Sequence, residues 1–381
     1  MTTQVLRADR VLTPDRELLD GWVVVEGERI VEVGQGAAPA GPGGPPGPRY
    51  AVLCPGFVDI HNHGGGGAAF ADGPQAALRA REAHLRQGTT TVVASLVTES
   101  VDVLARQVRA LRPLVESGDL GGIHLEGPWL SERWCGAHPA GLLRDPDPAD
   151  VEALADAAGG TLVMVTLAPE REGALEAVRR LVARGVRVGI GHTDASYERT
   201  RAAVDAGASV ATHLYNAARP HHHREPGPSV ALLEDERVWV ETIADGVHQH
   251  LAVVRETARR AGDRWVLVSD AMAAALAEDG SYRLGRLDVD VVDGVARLRD
   301  GGSIAGSTLS LDRAVRTAVG AGVPLERAVH AATAAPAAAM GRDDLGRLEP
   351  GCRADLVGLD ADLEPRAVMR RGRWERTPPL P

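Results

Sequence analysis

The chain of 381 residues is 44% hydrophobic and 25% charged, enough to bury one large domain with a smaller one beside it. Its formal net charge of −10 leaves no basic footprint for nucleic acid, and no run of about 18 apolar residues reads as a membrane span. Cys54, Cys135 and Cys352 are too few and too scattered for a disulfide framework, and the charged N-terminal stretch lacks the apolar run of a signal peptide, so a reduced, cytoplasmic protein is expected.

The N-terminal segment reads as short strands with turns. "WVVVEGERIVEVG" (Trp22–Gly34) sets a Glu-Gly turn inside a β-branched stretch, and "GAAPAGPGGPPGPR" (Gly36–Arg49) reads as a mobile Pro/Gly loop. From Ala51 the pattern changes to short apolar runs that alternate with helical patterns, the mark of βα units. The runs are "AVLCPGFVDIH", "TTTVVASL", "GGIHLEG", "TLVMVTLAP", "VRVGIGHT", "SVATHL", "RVWVETIAD" and "RWVLVSDA". Helical candidates between them include "PQAALRAREAHLRQG", "SVDVLARQVRALRPLVES", "EGALEAVRRLVARG" and "SYERTRAAVDAG". "YRLGRLDVDVVDGVARLRDG" (Tyr282–Gly301) follows the eighth run as a hairpin-like insertion. Helical stretches at Leu309–Ala321 and Leu325–Met340 come next, and the tail is strand-like again. Eight βα units predict an α/β fold, a (β/α)8 TIM-like barrel over residues 54–345. Residues 1–53 and 346–381 are expected to form a small β-sandwich domain. An open doubly wound sheet would carry GxGxxG after its first strand, and "GGGG" (Gly64–Gly67) does not fit that spacing.

Barrel chemistry sits at the C-terminal ends of strands. Run one ends in His61 and His63, which share a face because side chains two apart on a strand do. Run three ends in Glu126, run five in His192, run six in His213 and run eight in Asp270. Imidazole and carboxylate donors at equivalent positions on five strands suit a zinc, iron or manganese ion. The glycines after His63 are expected to keep the barrel mouth open.

"PGFVDIHNHG", "HLEGPWL", "GHTDAS", "THLYNA", "ADGVH" and "VSDAMAA", taken in order, resemble the N-acetylglucosamine-6-phosphate deacetylases of the amidohydrolase superfamily. The resemblance implies a principal metal held by Glu126, His192 and His213, with Asp270 as general base and acid and His138 polarising the substrate carbonyl. It implies contacts to the amino sugar from Ala137, Asn216, Ala217 and His248, and a lining loop at Ile304, Ala305 and Gly306. Arg224, in "REPG", resembles the residue that reaches the phosphate from the neighbouring subunit of a homodimer. His61 and His63 resemble the binuclear form of the family, so one or two divalent ions per subunit are expected. Zinc is the first expectation; iron, manganese and cobalt are the others.

All 42 basic residues are arginine. The absence of lysine weighs against amidohydrolases that bridge two metals through a carboxylated lysine. A bridge must come from Glu126, solvent or Cys135. The arginine fork also suits a phosphate. His221–His223 read as a solvated loop and His124 as a barrel-layer or outer residue. Asp194 either orients a ligand or caps the helix near Ser196. His84, His250 and His330 carry no signal. The expected reaction is metal-dependent hydrolysis of the acetamide of N-acetylglucosamine 6-phosphate. The rivals are the galactosamine epimer, an N-acyl-D-amino acid as substrate, and a non-catalytic metal-binding protein.

Overall fold

In a computed structural model, residues 3–14, 16–39 and 49–376 are described. Most of the expected Pro/Gly loop, residues 40–48, lies outside them. Eight parallel strands follow one another around the barrel: β1 (Phe57–Asn62), β2 (Thr89–Val97), β3 (Gly122–Glu126), β4 (Leu162–Leu167), β5 (Arg187–Ile190), β6 (Val210–Ala211), β7 (Trp239–Ile243) and β8 (Trp265–Val268). β1 and β2 are buried along their whole length. No regular ladder joins β8 to β1. Instead the Asp270 N–H donates to the His61 carbonyl at 2.9 Å and the His63 N–H to the Ala271 carbonyl at 2.7 Å. Both bonds involve residues expected at the site.

Helices cover the strands from outside: α1 (Pro74–Leu85), α2 (Val101–Glu116), α3 (Pro148–Ala158), α4 (Ala174–Ala183), α5 (Tyr197–Asp205), α6 (Gly227–Glu234), α7 (Leu251–Ala261) and α8 (Leu311–Gly320). Their ends follow local chemistry. At α3 the Asp147 carboxylate accepts from the Ala149 N–H, Pro148 opens the first turn, and Gly159 (φ 56°) stops the helix in the left-handed region. At α5 the cap is Ser196, whose Oγ accepts from the Arg199 N–H. That leaves Asp194 free for another task.

The terminal segments form one seven-stranded sheet, in the order 373–376, 365–370, 356–359, 49–55, 3–12, 17–26, 29–35. It has its own core, with Leu6, Val23, Ile30, Leu356 and Met369 among its members. The first apolar run is divided between the two sheets. Arg49–Pro55 pairs in the terminal sheet and Phe57–Asn62 in the barrel, with Gly56 between, where a Cβ would stand 2.2 Å from Thr90 Oγ1. The insertion is a three-stranded meander, Gly280–Leu284, Leu287–Val292 and Val295–Leu298. It leans over the barrel mouth, where Arg286 donates Nε and Nη2 to the two oxygens of Glu99 at 2.5 and 2.7 Å.

Gly64–Gly67 serve closure rather than openness. The Gly66 and Gly67 N–H groups donate to the Ala275 and Ala273 carbonyls at 2.7 and 2.9 Å. A Cβ on Gly65 would stand 2.6 Å from His84 Nε2. The run binds the β1 loop to the segment after β8 and to α1, and the site cavity lies elsewhere.

Candidate metal centre and active site

His61, His63, Glu126, His138, His192, His213 and Asp270 are all buried and all converge at the C-terminal end of the barrel. His192, His213 and Asp270 hold positive φ values of 47°, 29° and 48°. Non-glycine residues there cost about 1–3 kcal/mol each, a strain that surrounding contacts must hold. It turns each side chain inward just where its strand ends.

The hydrogen bonds fix where the imidazole protons lie. His192 Nδ1 sits 3.0 Å from the Trp134 carbonyl, His63 Nδ1 3.2 Å from the Ser95 carbonyl, and His61 Nδ1 3.2 Å from Glu241 Oε2. All three partners accept, so each Nδ1 carries a proton and each Nε2 is turned inward. The inward nitrogens face carboxylate oxygens. His192 Nε2 and His213 Nε2 lie 3.0 Å from Glu126 Oε1, and His63 Nε2 lies 3.2 Å from both Glu126 Oε2 and Asp270 Oδ1. His61 Nε2 and His63 Nε2 face one another at 3.2 Å. In this buried space imidazole nitrogens and carboxylate oxygens crowd together, and protons on Nε2 or a metal ion must lie between them. The donor set fits a divalent metal of borderline softness.

In the ion-free protein protons take that place on His61 and His63. Burial works against charge on His61 and His63, yet the Glu126 and Asp270 carboxylates more than offset it. His61 is held well above the ordinary imidazole range and His63 is pushed up to about 9. Burial also works against Glu126 and Asp270, and the imidazoles around them, His61 foremost, hold both well below the usual carboxylate range. His138 behaves differently. Burial lowers it to about 4, so it is neutral at pH 7. Its Nδ1 accepts from the Thr98 N–H at 3.3 Å, which leaves the proton on Nε2, 3.3 Å from Glu126 Oε2.

Above this cluster opens a cavity of about 310 Å³, walled by His63, Glu126, His138, His192, His213 and Asp270 below and by Ala137, Asn216, Ala217, His248, Ile304 and Gly306 around the sides. A sequence model of the amidohydrolase family matches residues 52–374. The chain belongs to the amidohydrolase family. Among similar proteins, an N-acetylgalactosamine-6-phosphate deacetylase of Escherichia coli O157:H7 is 39% identical over 377 residues, covering 97% of this chain and 98% of that protein. An N-acetylglucosamine-6-phosphate deacetylase of Vibrio furnissii is 36% identical over 379 residues, covering 96% and 94%. Among solved structures, a mutant N-acetyl-D-glucosamine-6-phosphate deacetylase from Mycobacterium smegmatis, in complex with N-acetyl-D-glucosamine-6-phosphate, superimposes with a TM-score of 0.96 at 49% identity, over 99% of this chain and 100% of that one.

Within this amidohydrolase, the expected residues fall into three places. Most line the cavity. His61 lies beneath it, fully buried. Two stand apart: Ala305 packs into the apolar core of the meander with Met272 and Leu284, and Arg224 is exposed, its Nη1 2.7 Å from His223 Nε2. Gly136, Leu284 and Ser303 line the cavity in addition. Gly136 is required there, because its φ of 58° is left-handed and a Cβ would stand 3.2 Å from His192 Cε1.

The amidohydrolase also uses a residue that sequence reasoning passed over, and gives tasks to two that it had read. Glu241, on β7 and fully buried, holds His61 Nδ1 and accepts from the His213 N–H at 3.1 Å. Its signal was a carboxylate inside the apolar run "VWVETI". Asp194 accepts from Trp134 Nε1 at 2.8 Å and Arg133 Nη1 at 3.2 Å, which anchors the loop whose Trp134 carbonyl orients His192. His124 bridges Ser95 Oγ and Thr166 Oγ1 at 2.9 Å each, a barrel-layer role.

Proposed function

We propose that this amidohydrolase hydrolyses the acetamide of N-acetyl-D-glucosamine 6-phosphate to D-glucosamine 6-phosphate and acetate. The observation that carries the reading is the set of inward-facing imidazole nitrogens and carboxylates beneath a sugar-sized cavity. It sits in a chain that superimposes on a deacetylase bound to that sugar phosphate. Acetate release from the purified protein tests it, with N-acetylgalactosamine 6-phosphate as the comparison substrate, since a relative with that name is 39% identical. Turnover of the glucosamine compound at the higher kcat/KM is expected.

Glu126, His192 and His213 would hold the principal ion, zinc first among the candidates, and His61 and His63 a second, with Glu126 facing both sets. Such an ion, when bound, polarises the acetamide carbonyl and acidifies a water. The Asp270 carboxylate, kept ionised by the imidazoles beside it, takes the proton of the attacking water and returns it to the departing amine nitrogen. Neutral His138 donates its Nε2–H to the carbonyl oxygen as negative charge builds there. His248 is oriented by Asp245, whose Oδ2 lies 2.6 Å from its Nδ1, and its Nε2 is left to pair with a sugar hydroxyl. In the ion-free protein His63 holds a proton up to about pH 9, so an ion must displace it. Proton release on ion binding, and affinity that rises with pH through neutrality, are expected. Titration calorimetry in buffers of different ionisation enthalpy measures both.

The enzyme is proposed to work as a cytoplasmic homodimer. Among the described residues no helix is long and apolar enough to cross a membrane. Arg224 does not line the cavity of its own chain, and Tyr215 and Val247, beside the cavity residues Asn216 and His248, leave apolar surface exposed near the mouth. A second subunit placed there would cover that surface and bring its guanidinium to the phosphate. Arg224→Ala should raise KM for the phosphorylated sugar strongly and barely change handling of the unphosphorylated one. Mixing it with Asp270→Asn should restore part of the activity, since each mixed dimer has one intact site. No recovery in mixtures shown to exchange subunits would place Arg224 in its own site or outside the reaction. Likewise Arg286→Ala, which frees the meander from Glu99, should raise KM several-fold with a smaller change in kcat, because Leu284 and Ile304 form the cavity wall. An unchanged KM would show that the wall stands without that pair.

A further inference from the structure

Directly behind Asp270, away from the cavity, lies a buried polar network that the reaction itself does not use. Its members are Asp59 and Asn62 on β1, Ser269 after β8, His84 on α1 and Ser307 before α8, none more than slightly exposed. Ser269 is at the centre. Its Oγ donates to Asp59 Oδ2 at 2.5 Å, and accepts from Asn62 Nδ2 at 3.0 Å and from the Ala271 N–H at 3.2 Å. Its N–H donates to Asp59 Oδ1 at 3.2 Å, and its carbonyl accepts from Ser307 Oγ at 2.5 Å. Asn62 gives its other amide proton to Asp59 Oδ2 at 3.0 Å, and its Oδ1 accepts from the Gly64 N–H at 2.9 Å. His84 Nε2 then donates to the Gly64 carbonyl at 2.9 Å. With that assignment each proton of Ser269 and Asn62 has an acceptor, and the Asn62 amide nitrogen also stands 3.1 Å from His84 Nε2.

The network grips both peptide bonds of Asp270. The carbonyl before it and the N–H after it belong to the Ser269 bonds above. The Asp270 N–H itself donates to the His61 carbonyl at 2.9 Å, and its carbonyl accepts from the Ser307 N–H at 2.7 Å. Asp270 is the residue whose φ of 48° an L side chain rarely adopts. We propose that Asp59, Ser269 and His84 are positioning residues that hold Asp270 in this left-handed conformation and so fix the aim of its carboxylate. Asp59 and Ser269 act on the Asp270 backbone. His84 acts one step further out, by pinning Gly64 and through it Asn62. The inference rests on Asp270 being the proton carrier proposed above.

Ser269→Ala removes the centre of the network without touching the cavity. A carboxylate let go by about an ångström costs on the order of 10²-fold in rate. Ser269→Ala should therefore lower kcat by about that factor, with KM and bound metal within about twofold of the parent. His84→Leu should show the same pattern more weakly, and His84→Gln, which keeps a donor for the Gly64 carbonyl, should recover much of the loss. The deciding measurement is the double variant. If the network acts through Asp270, Ser269→Ala adds nothing to the loss already caused by Asp270→Asn. A further loss of the same size in that background would overturn the inference, as would an unchanged kcat in Ser269→Ala and His84→Leu alike. The His84 pair keeps the question open to measurement if Ser269→Ala does not fold. An Asp270→Asn protein with parental turnover would instead remove the proposed role of Asp270, a result distinct from either.

Discussion

Asp270→Asn should bind substrate and metal much as the parent does and lose turnover by ~10²–10⁴-fold, about 3–5 kcal/mol of barrier. The amide keeps the shape of the carboxylate and the backbone bonds to His61 and Ser307. What it loses is a group able to take a proton from water and return it to the amine. In the parent that carboxylate lies 3.2 Å from His63 Nε2 and well below its ordinary pKa, so it is ionised across the working range. Steady-state kinetics with elemental analysis of the same preparation checks both halves. Turnover near the parental value would take Asp270 out of the reaction.

His192→Ala should have an effect as large by a different route. Glu126 Oε1 faces His192 and His213 at 3.0 Å each, and no fourth protein donor stands equally close to it among the described residues. Deleting one imidazole from so small a set removes the principal ion and with it activity to background. His61→Ala should be milder and remove at most a second ion, because His61 Nε2 lies 3.5 Å from the nearest carboxylate oxygens. Metal content per subunit in the two purified variants separates the cases. Loss of the principal ion in His61→Ala but not in His192→Ala would reverse the assignment of the two sites.

The barrel was legible because each strand is buried on both faces, so its residues form an apolar run that a polar ligand interrupts at the end. That made His61, His63, Glu126, His192, His213 and Asp270 visible from strand-end position alone. The remaining members came through family resemblance. What stayed hidden depended on contacts between distant segments. "AVLCPGFVDIH" reads as one run, and the approach of Thr90 to Gly56 shows where one strand stops and the next begins. His84 lies in a helical pattern like any surface histidine, but it points inward to the Gly64 carbonyl. Gly64–Gly67 looked like an open loop, whereas α1 and the segment after β8 pack against it. Ala305 sits between two cavity residues, and its side chain faces the other way. Periodicity carries information about one element. It carries none about which second element presses on it.

The most direct test of the account removes the metal and returns it. The purified protein is stripped with a chelator, its metal loss verified by elemental analysis, and acetate release from N-acetylglucosamine 6-phosphate is measured before and after divalent ions are restored. Turnover should vanish with the metal and return with zinc, iron, manganese or cobalt, in proportion to the ion bound at the Glu126, His192 and His213 set. Full turnover in protein shown to be metal-free, or no acetate from this substrate in protein fully loaded with any of the four ions, would contradict it.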